Sequence, residues 1–212
     1  MSRTKPRIFI VDDYAAFSKS LARLVKSTEF DVETFLSAQE FLQRKVYKGT
    51  SCLLLDVRMP GLTGPELQQQ LAKRTISMPI IFLTAHGDTP TGVKAMKDGA
   101  EDFLLKPVEE GQLFEAIDKA LDKDVEVKKQ LKEKERIRHL ITSLTPREYE
   151  VFRWIITGML NKQIAYEIGI TERTVKAHRS QVMEKLNVFS VAELVRLAQK
   201  VGISPAKESP EP

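Results

Sequence analysis

Five short apolar runs, interleaved with stretches of helical period, dominate the first 121 residues and leave few folds open to them. The runs occupy residues 8–11, 32–35, 52–55, 80–83 and 103–105 and are rich in Ile, Val, Phe and Leu. They are too short for independent helices, and, Glu33 and Thr34 apart, their lack of polar residues predicts strands buried on both faces. Helical periodicity covers residues 15–27, 38–44, 64–74, 90–98 and 110–121, the third with Pro65 in its first turn, where a missing N–H is harmless. Strands separated by helices cannot pair as hairpins, so the connections must cross the sheet and neighbouring strands run parallel. The expected architecture is a doubly wound α/β sheet of the flavodoxin-like (βα)5 type.

The pattern changes after residue 122. Residues 123–141 are rich in Lys, Glu, Gln and Asp without Gly or Pro, and Ile117, Leu121, Leu131, Ile137 and Leu140 recur at partly helical spacing. This predicts a helical linker, either a solvated single helix or a dimerising coiled coil whose seam is broken around residues 125–128. Residues 142–204 read as a second, all-α domain, and 205–212 as a disordered tail without apolar period. A chain of 212 residues has room for two cores. Formal charge is about −1 over residues 1–122 and about +5 beyond them, a modest bias of the second half toward nucleic acid. The single cysteine, Cys52, excludes an internal disulfide and a thiolate metal cluster. No apolar run approaches the roughly 18 residues needed to span a bilayer. The polar, basic start lacks a signal-peptide core, so a cytoplasmic protein is expected.

Chemistry-bearing residues gather at the predicted strand ends. Asp12 and Asp13 follow the first strand, Asp56 the third, Thr84 the fourth and Lys106 the fifth. In an open parallel sheet these carboxyl ends converge on one crevice. Any one Asp there reads more readily as a helix cap or turn former. Three carboxylates together repel unless something neutralises them, and an all-oxygen set favours Mg²⁺ with retained waters. With the Lys106 cation and the Thr84 hydroxyl, the same crevice would stabilise an incoming phosphoryl group, with an aspartyl phosphate as product.

The motifs VDD at 11–13, LLLDVRMPG at 53–61, TA at 84–85 and KP at 106–107 resemble the receiver domain of two-component response regulators over residues 6–122. The resemblance implies that Asp56 accepts phosphate from a sensor histidine kinase. It further implies that Asp13, Asp56 and the backbone carbonyl of Arg58 ligate Mg²⁺, with Asp12 acting through a metal-bound water. Lys106 would pair with the phosphoryl oxygens, and Thr84 would move toward them, freeing space for Phe103 to turn inward as a switch. From its apolar strand alone, Phe103 reads as core. A cis Lys106–Pro107 bond also fits the family. Arg58 and His86 flank the site and are expected to tune the phosphate's lifetime.

In the second half, Thr145-Pro146-Arg147-Glu148 has the form of a capping box opening a helix with Tyr149, Val151, Phe152 and Ile155. Asn161 is expected to cap a short helix bearing Ile164, Ala165 and Ile168, and Gly169 to break it. Thr171 then caps a helix with Val175, Val182 and Leu186 on one stripe and Arg173, Lys176, Ala177, Ser180 and Glu184 largely opposite. Ala165, Gly169 and Val175 meet the needs of a helix-turn-helix: close approach, a turn, and an apolar residue packing back. The run from Leu144 to Val188, with NKQIA at 161–165 and TVKAH at 174–178, resembles the LuxR-type DNA-binding domain, and a helix near 190–201 completes its four. The resemblance implies that Lys176, Ala177 and Ser180 face base edges of double-stranded promoter DNA, while Lys162, Thr174, His178 and Arg179 hold phosphates or the groove rim. Ser180 stands where some relatives carry a longer basic residue.

The two resemblances together imply the NarL/FixJ class, with the sequence around Thr84 and the helical linker leaning toward its FixJ-like members. A homodimer on phosphorylation, through a face around residues 90–98 and 106–121, and contact with RNA polymerase in the case of an activator are the implied partners. Two rivals are an aspartyl-phosphate phosphohydrolase and a constitutive DNA-binding protein. The first needs an acid/base carboxylate two residues after the nucleophile, where this chain has Arg58.

Overall fold

The computed structural model describes residues 5–74, 76–85 and 96–207, and it divides into two compact units, Met1–Lys128 and Lys129–Pro212. In the first unit the strands are β1 (Arg7–Val11), β2 (Asp31–Phe35), β3 (Ser51–Asp56), β4 (Ile80–Thr84) and β5 (Asp102–Leu105). They form one parallel sheet in the order β2-β1-β3-β4-β5. Its helices are α1 (Ala15–Lys26), α2 (Ala38–Gln43), α3 (Gly64–Lys73) and the first part of α4 (Glu110–Thr142). Of the helix expected at 90–98, residues 90–95 lie outside the described set, and Met96 and Lys97 are helical. His86 also lies outside it.

The unbroken apolar runs of β1, β3 and β4 are explained by two cores, one on each face of the sheet, whereas the edge strands β2 and β5 are only partly buried. Ile8, Ile10, Cys52, Leu54, Ile81 and Leu83 point to one side, where Leu21 and Val25 of α1 and Leu113 and Ile117 of α4 cover them. Their alternates Phe9, Val11, Leu53, Leu55 and Phe82 point to the other, against Phe41 of α2 and Leu67 and Leu71 of α3. Each large side chain so buried contributes roughly 1.5–3 kcal/mol of transfer free energy. Asp56 and Thr84 are the last residues of their strands rather than the first beyond them.

The helix expected at 110–121 and the helical linker expected at 123–141 form one continuous helix, α4, from Glu110 to Thr142. Without Gly or Pro, nothing in this segment stops the helix. Val125 and Leu131 on it are exposed.

The second unit holds the end of α4 with α5 (Pro146–Ile155), α6 (Asn161–Glu167), α7 (Glu172–Lys185) and α8 (Val191–Val201) around Ile137, Val151, Phe152, Ile155, Ile164, Val175, Val182, Leu186 and Leu194. The capping box forms: Glu148 N–H donates to Thr145 Oγ1 at 3.3 Å, and Thr145 N–H to Glu148 Oε2 at 2.8 Å. Gly169, at φ 66°, makes the turn between α6 and α7.

Two expectations are corrected here. Asn161 does not cap α6; it is the first helical residue, and Gln163 satisfies the free Leu160 N–H instead, at 2.8 Å. Of the disordered tail expected at residues 205–212, residues 208–212 lie outside the described set, and its first residues are held in place. Ala206 N–H donates to the Arg153 carbonyl at 3.0 Å, and the Arg153 guanidinium donates to the carbonyls of Ser204 and Pro205 at 3.3 and 3.1 Å, which fixes the segment to α5.

Candidate functional site

The parallel register sets the ends of β1, β3, β4 and β5 side by side, and six of the sequence-predicted residues meet there. Asp12, Asp13, Asp56, Thr84 and Lys106 line one cavity of about 490 Å³ with Tyr14, Phe17, Arg58, Ala85 and Pro107. One carboxylate oxygen from each of Asp12, Asp13 and Asp56 lies within 4.8 Å of the others. Asp12, Asp56 and Thr84 are buried, whereas Asp13 and the Arg58 side chain are exposed.

Lys106 neutralises the two buried carboxylates. Its Nζ donates to Asp12 Oδ2 at 2.5 Å and to Asp56 Oδ1 at 3.0 Å, and it sits 4.4 Å from the centroid of the Phe17 ring. The backbone holds the lysine's origin in place: Lys106 N–H donates to the Thr84 carbonyl at 2.7 Å, and the Lys106–Pro107 bond is cis. Asp12 also fixes the start of α1, its Oδ1 accepting from Tyr14 N–H at 2.9 Å. Burial pushes the Asp56 carboxyl above its ordinary range; Lys106 pulls it back, and Asp12 and Asp13 add to the rise. Phe103 is half-buried, its ring 6.4 Å from that of Phe82 in a tilted contact.

Sequence reasoning missed Gly64 and Phe17. A Cβ on Gly64 would lie 2.3 Å from the Asp56 carbonyl oxygen and 3.0 Å from Phe82 Cε1, so only glycine lets α3 begin so close to the end of β3. The one available signal was a glycine between the capping Thr63 and Pro65, eight positions past Asp56. Phe17 carried no signal beyond the helical period.

In the second unit, Lys162, Thr174, Lys176, Ala177 and Ser180 are exposed, and His178 and Arg179 are half-buried. The period of α7 puts Lys176, Ala177 and Ser180 on one face, opposite the buried Val175 and Val182. Arg179 is already engaged: its Nη1 donates to Asn161 Oδ1 at 3.1 Å, the role Asn161 has in place of capping. The far end of α7 is anchored by Lys185 Nζ, 2.6 Å from Glu148 Oε2. That lysine, and then the Thr145 N–H, holds the Glu148 carboxyl below its ordinary range. Arg147 Nη2 donates to the Ile168 carbonyl at 3.1 Å, fixing the end of α6. The chemistry on offer is an outward face with one cation and two short side chains on a firmly braced helix.

Comparison with known proteins agrees with this division. Residues 8–118 match the response regulator receiver domain, and residues 142–198 match the bacterial regulatory proteins of the luxR family. Nodulation protein W of Bradyrhizobium diazoefficiens is 42% identical over 95% of this chain and 88% of its own length. Transcriptional regulatory protein FixJ of Azorhizobium caulinodans is 38% identical over 95% of this chain and 96% of its own. Among solved structures, the response regulator StyR superposes with a TM-score of 0.79 at 46% identity, covering 93% of this chain and all (100%) of that one. Full-length FixJ from B. japonicum gives 0.57 at 41% identity over 94% and 98%.

Proposed function

The chain belongs to the two-component response regulators that join a receiver domain to a LuxR-type regulatory domain, and from that premise we propose that phosphorylation of Asp56 controls its binding to promoter DNA. The observation that carries the reading is the Lys106 ammonium shared between buried Asp12 and Asp56 at 2.5 and 3.0 Å. It sets a cation beside the Asp56 carboxyl in a partly dry crevice that the Thr84 side chain also lines.

The Asp56 carboxylate attacks the phosphorus of a phosphohistidine on a sensor kinase; the O–P bond forms as the P–N bond breaks, and the histidine leaves with the electron pair. Lys106 stays with the phosphoryl oxygens. Thr84 follows them, and Phe103 packs inward behind it. The all-oxygen set of Asp12, Asp13 and Asp56 fits Mg²⁺, because the three oxygens lie within 4.8 Å and exposed Asp13 opens the site to retained waters. When bound, that ion supplies charge neutralisation for the incoming phosphoryl group. Asp13, Asp56 and the Arg58 carbonyl would hold it directly, and Asp12 through water.

The phosphorylated form is read as a homodimer whose two copies of α7 enter successive major grooves. Exposed Met96 and Leu105 support a receiver face able to pair. Lys176, Ala177 and Ser180 are the base-reading candidates, and Lys162, Thr174, His178 and Arg179 the phosphate and rim contacts. RNA polymerase is a partner if the protein activates. We read it as acting in the cytoplasm; among the described residues no helix is long and apolar enough to cross a membrane. Arg58 stands where a turnover phosphohydrolase needs its second carboxylate, so the chain is read as a switch rather than an enzyme.

The test is to treat the full chain with acetyl phosphate and Mg²⁺, trap the product and map it by mass spectrometry. Acid-labile phosphate is expected on the peptide containing Asp56 and absent from Asp56→Asn; phosphate elsewhere, or equal labelling of the variant, overturns the assignment.

A further inference from the structure

Asp124 is a fully buried carboxylate, 0% exposed, that the site above does not use. It lies on α4 three residues past Leu121, the last buried apolar residue of that helix in the first unit. Its Oδ2 accepts from Ser51 N–H at 2.8 Å and from Lys128 Nζ at 2.5 Å, and the same Nζ donates to the Gly49 carbonyl at 2.6 Å. The helix residue and its partner one turn on therefore satisfy one donor and one acceptor of the chain entering β3. That strand begins at Ser51 and ends at Asp56. The Asp124 charge also adds to the burial that raises the neighbouring Cys52 thiol.

An apolar residue at 124 would seat the helix as well. Replacing a buried ion pair by packed apolar groups is often neutral or stabilising, so such a pair is better explained by position than by stability. Hydrogen bonds to two defined backbone groups add a directional tie that fixes the rotation and axial register of α4 at this point. Asp124 Oδ1 and the Ser51 hydroxyl are buried without a protein partner.

We propose that Asp124 is a positioning residue: with Lys128 it clasps two further turns of α4 to the root of β3, making the linker rigid with the receiver domain up to Lys128. Resting on the switch reading above, the clasp is then the joint through which the state of Asp56 reaches the linker. Asp124 lies at the end of β3 opposite the phosphoacceptor and takes no part in phosphoryl transfer.

The test compares the full-length protein with Asp124→Asn, which keeps an acceptor for Ser51 N–H but loses the ion pair, and with Asp124→Ala and Lys128→Met. Amide hydrogen exchange over residues 122–129 and at Ser51 should quicken on the order of tenfold or more in Asp124→Ala, and less in Asp124→Asn. Labelling of Asp56 by acetyl phosphate should stay at the wild-type rate. The donor-induced gain in DNA affinity, on the scale of about 5- to 150-fold for such couplings, should shrink toward onefold in Asp124→Ala and Lys128→Met. Unchanged exchange over 122–129, or a full DNA response despite faster exchange, overturns the proposal. If the wild type itself shows no donor response, the switch reading fails, and the exchange comparison still decides the clasp.

Discussion

Gly64→Ala is the smallest change that should disturb the Asp56 site without touching a charged group. The added methyl would stand 2.3 Å from the Asp56 carbonyl oxygen and 3.0 Å from Phe82 Cε1. Rotation of a side chain relieves only the second contact; the first is with backbone, so the start of α3 must move away from β3. That motion stretches the Gly64 N–H bond to the Val57 carbonyl, now 3.1 Å. Overpacking of this kind costs about 1–3 kcal/mol, and a rigid backbone partner puts the change near the upper figure. With a urea m-value of about 1–3 kcal/mol/M, the midpoint of the first unit should fall by roughly 1 M or more. The assay has an internal reference, because the only tryptophan, Trp154, is buried in the second unit. The far-UV circular dichroism transition of the first unit should move while the Trp154 fluorescence transition stays. Gly111→Ala in α4 is the control: nothing lies within 4 Å of its added Cβ, so it should be neutral or stabilise by up to about 1 kcal/mol. An unchanged first-unit midpoint in Gly64→Ala, or a loss as large in Gly111→Ala, would refute the steric reasoning.

Lys106→Met leaves Asp12 and Asp56 buried without their cation and should destabilise the first unit by about 3–5 kcal/mol in thermal melts, part of it recovered when Asp56→Asn is added. Glu148→Gln should lower the Trp154 unfolding midpoint near neutral pH. The Glu148 carboxyl is held below its ordinary value of 4.5, so its stabilisation is present above that value and is lost as pH falls through the lowered one. The difference between wild type and variant should therefore close on acidification; a difference that persists or grows in acid contradicts the ion pair. Lys162→Ala should weaken all DNA sequences alike and reduce the salt slope by about 0.9, whereas changes at Lys176 or Ser180 should reorder base preference, both read by anisotropy titrations.

What the sequence revealed and what it hid follow one physical line. The inner strands β1, β3 and β4 were legible because both faces of the sheet are covered there, which requires unbroken apolar runs, and Asp12, Asp56, Thr84 and Lys106 were legible because apolar runs stop at them. The helices of the second unit announced themselves through local caps at Thr145 and Thr171. Features that depend on a distant partner were not readable. Asp124 looks like one more linker charge until β3 brings Ser51 beneath it, 73 positions away. Asn161 has a cap residue's chemistry, and only the fold turns it toward Arg179. Gly64 resembles any turn glycine until α3 is seen against the Asp56 carbonyl. The helical character of α4 was legible in the lack of Gly or Pro over residues 123–141 and in a partial apolar period, which weakens where the helix is solvated and charged.

The central claim is that Asp56 governs DNA binding, and it is tested most directly by titrating a labelled promoter fragment with wild type and Asp56→Asn, each with and without acetyl phosphate and Mg²⁺. Affinity should tighten with donor for the wild type alone, with Asp56→Asn remaining at the untreated value. Equal affinity in all four conditions, or equal tightening of Asp56→Asn, would contradict it.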